Sequence, residues 1–371
     1  MIQRSSKQSR KCEVNKPMHR SLVPLFVSSE IYRQTGYNRQ HPLAIARIGP
    51  VMDICTAMGW LNAGNYRESP IANIATLTQF HDKSYVEAVL QASQTGKATQ
   101  AMREQYGLGT MENPVFRGLF ERAATSVAGS ILAAQLAMAG RVAYHPAGGT
   151  HHGRQNKASG FCYFNDPVFA IKEFLSAGLD RIAYLDLDAH HGDGVEDAFA
   201  TDQSVLCISI HEKNRWPGTG LSHGRNSLNY PVPAGFDDLD LSHLMSVEVL
   251  TALQKFGPDA LVITCGADAL AGDPLSKLSL SNRGLWDGVM RAVALSPRVV
   301  VLGGGGYNPW TTARCWSGLW AKLNDWEIPE KLPDDVTTLL RGLHCDLVDD
   351  DEIDPQWLTS IADLEVAHEI A

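Results

Sequence analysis

No run approaching the roughly eighteen apolar residues of a membrane-spanning helix occurs in the 371-residue sequence. No apolar h-region follows the basic N-terminal residues either, so neither a membrane segment nor a secretory leader is expected. The seven cysteines are scattered at Cys12, Cys55, Cys162, Cys207, Cys265, Cys315 and Cys345. They make no CxxC pair and no dense framework, which speaks against a disulfide scaffold and for a reducing, cytoplasmic compartment. A basic balance is also missing: 41 Asp and Glu oppose 32 Lys and Arg, leaving a net charge of −9, so a nucleic-acid partner is not expected. The glycine run Gly303 to Gly306 is not followed by the Gly-Lys-Ser/Thr of a phosphate-binding loop. Internal repeats are lacking, and no Pro- or Ser-rich linker divides the chain after its first thirty or so residues.

What remains is an ordinary globular composition, 44% hydrophobic and 20% charged, able to bury a large core. Charge is uneven only at the ends. Arg4, Lys7, Arg10, Lys11, Lys16 and Arg20 crowd the start, and acidic residues from Asp346 to Asp354 crowd the C-terminal region; both read as solvated segments. Between them, apolar β-branched runs at Arg141–Ala147, Arg181–Ala189, Ser204–His211, Asp259–Asp268 and Arg298–Gly303 predict strands buried on both faces. Helical stretches alternate with them, at Phe116–Ala139 ending on Gly140 and at Pro167–Ala177 ending on Gly178. The alternation predicts one α/β domain with a mostly parallel sheet, whose ligand sites lie beyond the carboxyl ends of the strands.

Several predicted strands end in polar residues that a buried strand does not need. One runs into Asp186-Leu187-Asp188-Ala189-His190-His191, where a period of two puts Asp186, Asp188 and His190 on one side. Another ends Cys265-Gly266-Ala267-Asp268. Two carboxylates and an imidazole with an open fourth position suit a catalytic divalent metal such as Zn²⁺. A third strand leads into Gly148-Gly149-Thr150-His151-His152, whose imidazoles can take and return a proton near neutral pH. Tyr307 closes the tetraglycine run, where its hydroxyl could steady a developing oxyanion. Each element alone has a bland reading: Asp-x-Asp after a strand is often structural, and a HisHis pair is usually a loop accident. Four strand ends carrying such residues together is not what chance supplies.

These stretches, with Ala158–Asp166, Pro217–Gly220 and Ala313–Trp316, occur from about His41 to Trp316 in an order that resembles the zinc-dependent histone deacetylase family. Bacterial acetoin-utilisation and acetylpolyamine amidohydrolase relatives belong to that resemblance. It implies an arginase/deacetylase fold, a three-layer αβα arrangement around an eight-stranded, mostly parallel sheet. The absence of repeats and linkers, with the basic start, gives one catalytic domain over residues 21–371 behind a basic, flexible segment at 1–20. Zinc would be held by Asp188, His190 and Asp268, and Fe²⁺ could occupy the same ligands. His152 would be general base and then acid, with Asp193 behind it. His151, backed by Asp186, would be an electrostatic helper, and Tyr307 would donate to the acyl oxygen. A structural potassium ion would sit at Asp186, Asp188 and His190, with Ser209 and Ile210 as the remaining ligands.

The implied reaction is hydrolysis of an N-acyl amide, acetyl-lysine or a small-molecule amide or anilide, by water activated at the metal. The implied substrate tunnel has Phe161 and Trp216 as walls, the Gly160 carbonyl facing the amide nitrogen, Glu112 at the rim and Arg47 near an acetate exit. Leu275 stands where polyamine-selective relatives place a glutamate, which ranks an acetylpolyamine deacetylase second. A ureohydrolase would need two manganese ions and more Asp and His ligands. A binding module with a dead site is disfavoured because every expected catalytic side chain is present. Oligomeric state, a homo-oligomer included, is left open, as no sequence feature identifies an interface.

Overall fold

A computed structural model describes residues 22–34 and 36–364 of the chain; the basic segment 1–20 lies outside the described residues. Eight strands form one sheet: β1 Leu25–Ser28, β2 Tyr66–Glu68, β3 Val142–His145, β4 Ile182–Asp186, β5 Val205–Glu212, β6 Ser227–Val232, β7 Ala260–Thr264 and β8 Val299–Leu302. Their order is β2-β1-β3-β8-β7-β4-β5-β6, and every pairing is parallel. The expectation of a parallel α/β sheet covered on both faces therefore holds.

The central strands are apolar because both of their faces are covered. β7 and β8, Ala260–Thr264 and Val299–Leu302, are buried at every residue. One face packs against Val51, Trp286, Trp316 and Trp320 from the helices Ile48–Ala57, Asn282–Val293 and Pro309–Leu323. The other packs against Ala134, Ile171, Phe174 and Phe199 from Leu119–Ala137, Asp166–Ser176 and Asp193–Phe199. Each fully buried Val, Leu or Ile contributes about 1.5–3 kcal/mol of transfer free energy. No helix among the described residues is long and apolar enough to cross a membrane.

All five strands read from the sequence are present; four are shorter than expected, and β5 keeps its eight residues one position later. The ladder stops at Asp186, where the side chain itself takes the Asp188 N–H at 3.1 Å, and the Leu187 N–H bonds to the Thr264 carbonyl at 2.9 Å. The period-two argument for Asp188 and His190 is thereby corrected: a bent loop, not a strand face, aims them. Asp268 likewise follows its strand in a short turn, Ala267–Ala269. The long helix begins at Leu119, because Gly118 has φ +85°, and its last turn gives way to Gly140 at φ +84°. β1, β2 and β6 were not anticipated; β2 is only three residues long, and β6 contains Asn229 and Pro231.

The sheet places the site. Register sets His145 beside Leu302, Leu302 beside Thr264, and Thr264 beside Asp186. Four adjacent strands thus end at one level, and the segments leaving them converge beyond that edge.

Candidate active site

Asp188, His190 and Asp268 bring their ligand atoms within 4.8 Å of one another, and all three are buried. His190 Nδ1 lies 2.9 Å from Asp268 Oδ2 and 3.2 Å from Asp188 Oδ1. The tetraglycine turn closes over them. The Gly305 N–H donates to Asp188 Oδ2 at 2.6 Å, and a Cβ on Gly305 would collide with Asp268 Oδ2. Burial and the charge of Asp188 push the Asp268 carboxyl up to about 6. Two buried carboxylates this close repel one another unless a cation lies between them. The donor set, one imidazole nitrogen and two carboxylates in a cradle that excludes any Cβ, fits a single divalent ion of the zinc type.

Two His-Asp pairs stand beside this cluster. His151 Nδ1 donates to Asp186 Oδ2 at 2.7 Å, and His152 Nδ1 donates to Asp193 Oδ1 at 2.8 Å. The loop carrying both histidines is tied to the helix Asp166–Ser176: its N-cap residue Asn165 donates to the His151 and Gly153 carbonyls at 3.1 and 2.9 Å. Asp166 accepts from the Gly149 and Thr150 N–H groups at 3.0 and 2.8 Å. Burial works against a charge on His151, but Asp186 and Asp188 outweigh it and raise the imidazole to about 9. Burial and the neighbouring His151 lower His152 to about 3, despite Asp193. Tyr307 is held through its backbone N–H, which donates to Asp273 Oδ2 at 2.7 Å. Burial, then Asp268 and Asp188, raise its hydroxyl well above the ordinary tyrosine range, so it remains a proton donor.

Residues 41–323 match the model of the histone deacetylase domain. The chain belongs to the histone deacetylase family. Histone deacetylase 8 of Xenopus tropicalis is 33% identical over 328 residues, covering 85% of this chain and 88% of that one. Histone deacetylase 1 of Homo sapiens is 34% identical over 313 residues, covering 80% of this chain and 64% of that one. A crystal structure of an HDAC homolog from Aquifex aeolicus superposes with a TM-score of 0.87 at 30% identity, covering 92% of this chain and 95% of that one. A crystal structure of an HDAC homolog complexed with SAHA gives 0.85 at 32% identity, with coverages of 92% and 94%. This deacetylase is accordingly a zinc-dependent hydrolase of amide bonds with the arginase/deacetylase fold.

The deacetylase site opens through a cavity lined by Glu112, Phe161, Arg215, Trp216, Pro274 and Leu275, with His152, His190 and Tyr307 at its floor. Trp216 is 44% exposed and its ring lies 4.6 Å from that of His152. Phe161 adopts φ +65°, a left-handed backbone that bulky residues rarely tolerate; its ring lies 5.8 Å from that of Tyr307. Gly160, at φ +55°, has no room for a Cβ beside His152 and Trp216. Its carbonyl takes the Cys162 thiol at 3.2 Å, and its N–H donates to Glu112. Glu112 therefore spends one oxygen on the protein's own backbone. Arg47 donates to the Gly304 carbonyl and lies over the Trp316 ring. Ser209 and Ile210 sit on β5, Ser209 paired in register with Asp186.

Sequence reasoning missed three residues around this machinery. Arg154 bonds the second oxygen of Asp193 and also reaches Asp197. Tyr184 donates to Asp186 Oδ2 at 2.7 Å. Asp273, raised to about 7 by burial and by Asp268, holds both the Tyr307 and the Leu275 N–H groups. Arg154 lies two residues after the histidine pair, and Asp273 just before Pro274; proximity in sequence was the available signal.

Proposed function

We propose that this deacetylase hydrolyses N-acyl amides of lysine side chains or small molecules, with His152 moving the proton. The observation that carries this reading is the buried cluster of Asp188, His190 and Asp268 with two His-Asp pairs and Tyr307 beside it; burial and His151 also hold His152 low. At neutral pH His152 keeps a free ring nitrogen able to take a proton from water and return it to the leaving amine. The charged His151 beside it favours developing negative charge at the acyl oxygen, and Tyr307 donates a hydrogen bond there. Zinc held by Asp188, His190 and Asp268 would supply Lewis acidity at that oxygen and at the attacking water.

Phe161 and Trp216 form an aromatic entrance suited to an alkyl chain or an aryl ring. Polyamines rank lower, because Leu275 is apolar and Glu112 is engaged by Gly160, which leaves a distal ammonium poorly answered. A structural potassium ion at Asp186, Asp188, His190, Ser209 and Ile210 is part of the proposal, supported by the register of β4 and β5. Residues 21–371 are taken as one catalytic unit, supported by the single sheet. The six described cysteines are free, which supports a reducing, cytoplasmic setting. Fe²⁺ is an alternative occupant of the metal site.

The test is turnover by zinc-replete enzyme of an acetyl-lysine peptide, an acetanilide, N-acetylputrescine and arginine, with Tyr307→Phe as control. Acetate released from the first two and lost in the control supports the proposal. Cleavage of arginine alone, or preference for N-acetylputrescine, would sink it.

A further inference from the structure

The catalytic cavity continues inward, past Gly149 and Gly304, to a chamber containing two guanidinium groups that no carboxylate answers. Arg47 leaves a buried Nε without a partner, and its guanidinium lies 4.9 Å above the Trp316 ring. Arg122, from the helix Leu119–Ala137, donates to the Ile31 and Gln34 carbonyls at 3.1 and 2.9 Å and lies 5.1 Å above the Tyr32 ring. Neither arginine has an acidic group at ion-pair distance among the described residues. Nearby acids are spent elsewhere: Asp166 on Ser130, Gly149 and Thr150, and Glu121 on Ser93. The Tyr32 hydroxyl is buried with no partner at hydrogen-bond distance, and Ser126 lines the same chamber. Ile45, Ile48, Leu119 and Ala123 supply apolar wall.

Two guanidiniums that meet only backbone carbonyls and aromatic rings, and a buried hydroxyl without a partner, leave positive charge in this cavity that an entering anion would answer. Arginine's planar fork matches a carboxylate, and apolar walls suit methylene groups. We propose that this chamber receives the far end of an acyl chain bearing a terminal carboxylate, so that N-succinyl and N-glutaryl amides are substrates. The proposal rests on the amide-hydrolase reading above and specifies its acyl group. Water adds to the acyl carbon, the C–N bond breaks, the nitrogen takes a proton, and a free amine and a dicarboxylate leave.

The experiment compares kcat/KM of zinc-replete enzyme on Nε-acetyl-, butyryl-, succinyl- and glutaryl-lysine peptides, for the wild type, Arg122→Leu and Arg122→Lys. The better carboxyacyl peptide should exceed butyryl at least tenfold. That ratio should fall at least tenfold in Arg122→Leu and be partly kept in Arg122→Lys. Being internal to each enzyme, the ratio does not depend on how much of a variant folds. Succinate should also inhibit the wild type at least tenfold more strongly than acetate. Acetyl turnover with a flat acyl series, or a ratio untouched by Arg122→Leu, overturns the carboxyacyl assignment and leaves deacetylation standing. Equal inhibition by acetate and succinate with that flat series gives the guanidiniums to free small anions, also against the proposal. No turnover of any peptide overturns both readings.

Discussion

The two His-Asp pairs have the same composition, adjacent sequence positions and similar bond lengths, yet their carboxylates are anchored differently. Asp186 is shared with neutral donors, the Tyr184 hydroxyl and the Asp188 N–H. Asp193 gives its second oxygen to the Arg154 guanidinium. An arginine draws off carboxylate charge that would otherwise favour a protonated imidazole, whereas a hydroxyl leaves more of it in place. Asp188, 3.8 Å from His151 Nε2, adds a second negative charge on that side alone. Roles within a repeated motif are thus set by burial and by the charges that surround each imidazole, not by the motif itself.

The largest effect should come from removing one imidazole. His152→Ala should lower kcat by about 10²–10⁴-fold, the usual worth of a positioned acid-base group; steady-state kinetics on an acetyl-lysine peptide measure this, and a loss under tenfold would erase the distinction between the pairs. A third buried histidine sharpens the contrast, because it has no carboxylate at all. His81 donates from Nδ1 to the Arg154 carbonyl at 3.0 Å and accepts the Asn165 N–H on Nε2 at 3.1 Å, an arrangement open only to the neutral ring. Burial lowers it to about 4. Between about 6.5 and 4 the unfolded chain binds the extra proton, so stability is lost as the pH drops through that window, by roughly 3 kcal/mol at most, and levels off below it. Urea unfolding at pH 7 and pH 4.5 should show that loss reduced in His81→Gln relative to the wild type.

Arg154→Met should cost about tenfold in kcat with little change in KM, the scale of one charged hydrogen bond. With Asp193 no longer offset, the His152 imidazolium becomes easier to form, and protonated His152 cannot act as a base. The acid limb of the kcat/KM profile should therefore move to higher pH, with Arg154→Lys restoring part of the shift. Tyr184→Phe should be mildest, removing about 1 kcal/mol of stability with a few-fold effect on rate; thermal unfolding would show it as a small drop in Tm.

Legibility followed the backbone. Asp188, His190 and Asp268 could be read because they follow strands whose buried character leaves polar ends conspicuous. The HisHis pair and Tyr307 could be read because glycines flank them. Arg122 could not, since a charged residue in the first turn of the helix Leu119–Ala137 looks like any solvated helix position; only the cavity beside it reveals that it has no acidic partner. For Arg154 the only signal was its place two residues after the histidine pair, because its contact with Asp193 joins positions 39 apart. β2 escaped notice because a three-residue strand with no buried residue leaves too little pattern to distinguish from loop.

The seam between β4 and β7 joins segments far apart in the chain, with Asp186 beside Thr264. β3 and β8, next along the sheet on the β7 side, are farther apart still, with His145 beside Leu302. Non-local parallel pairing is slow to form because chain closure precedes any contact that rewards it. The three clustered ligands come from the segments after β4 and β7, so no hairpin or local helix can assemble them early. Metal uptake should thus report completion of the sheet, and opening of this one seam during unfolding should release the ion at once.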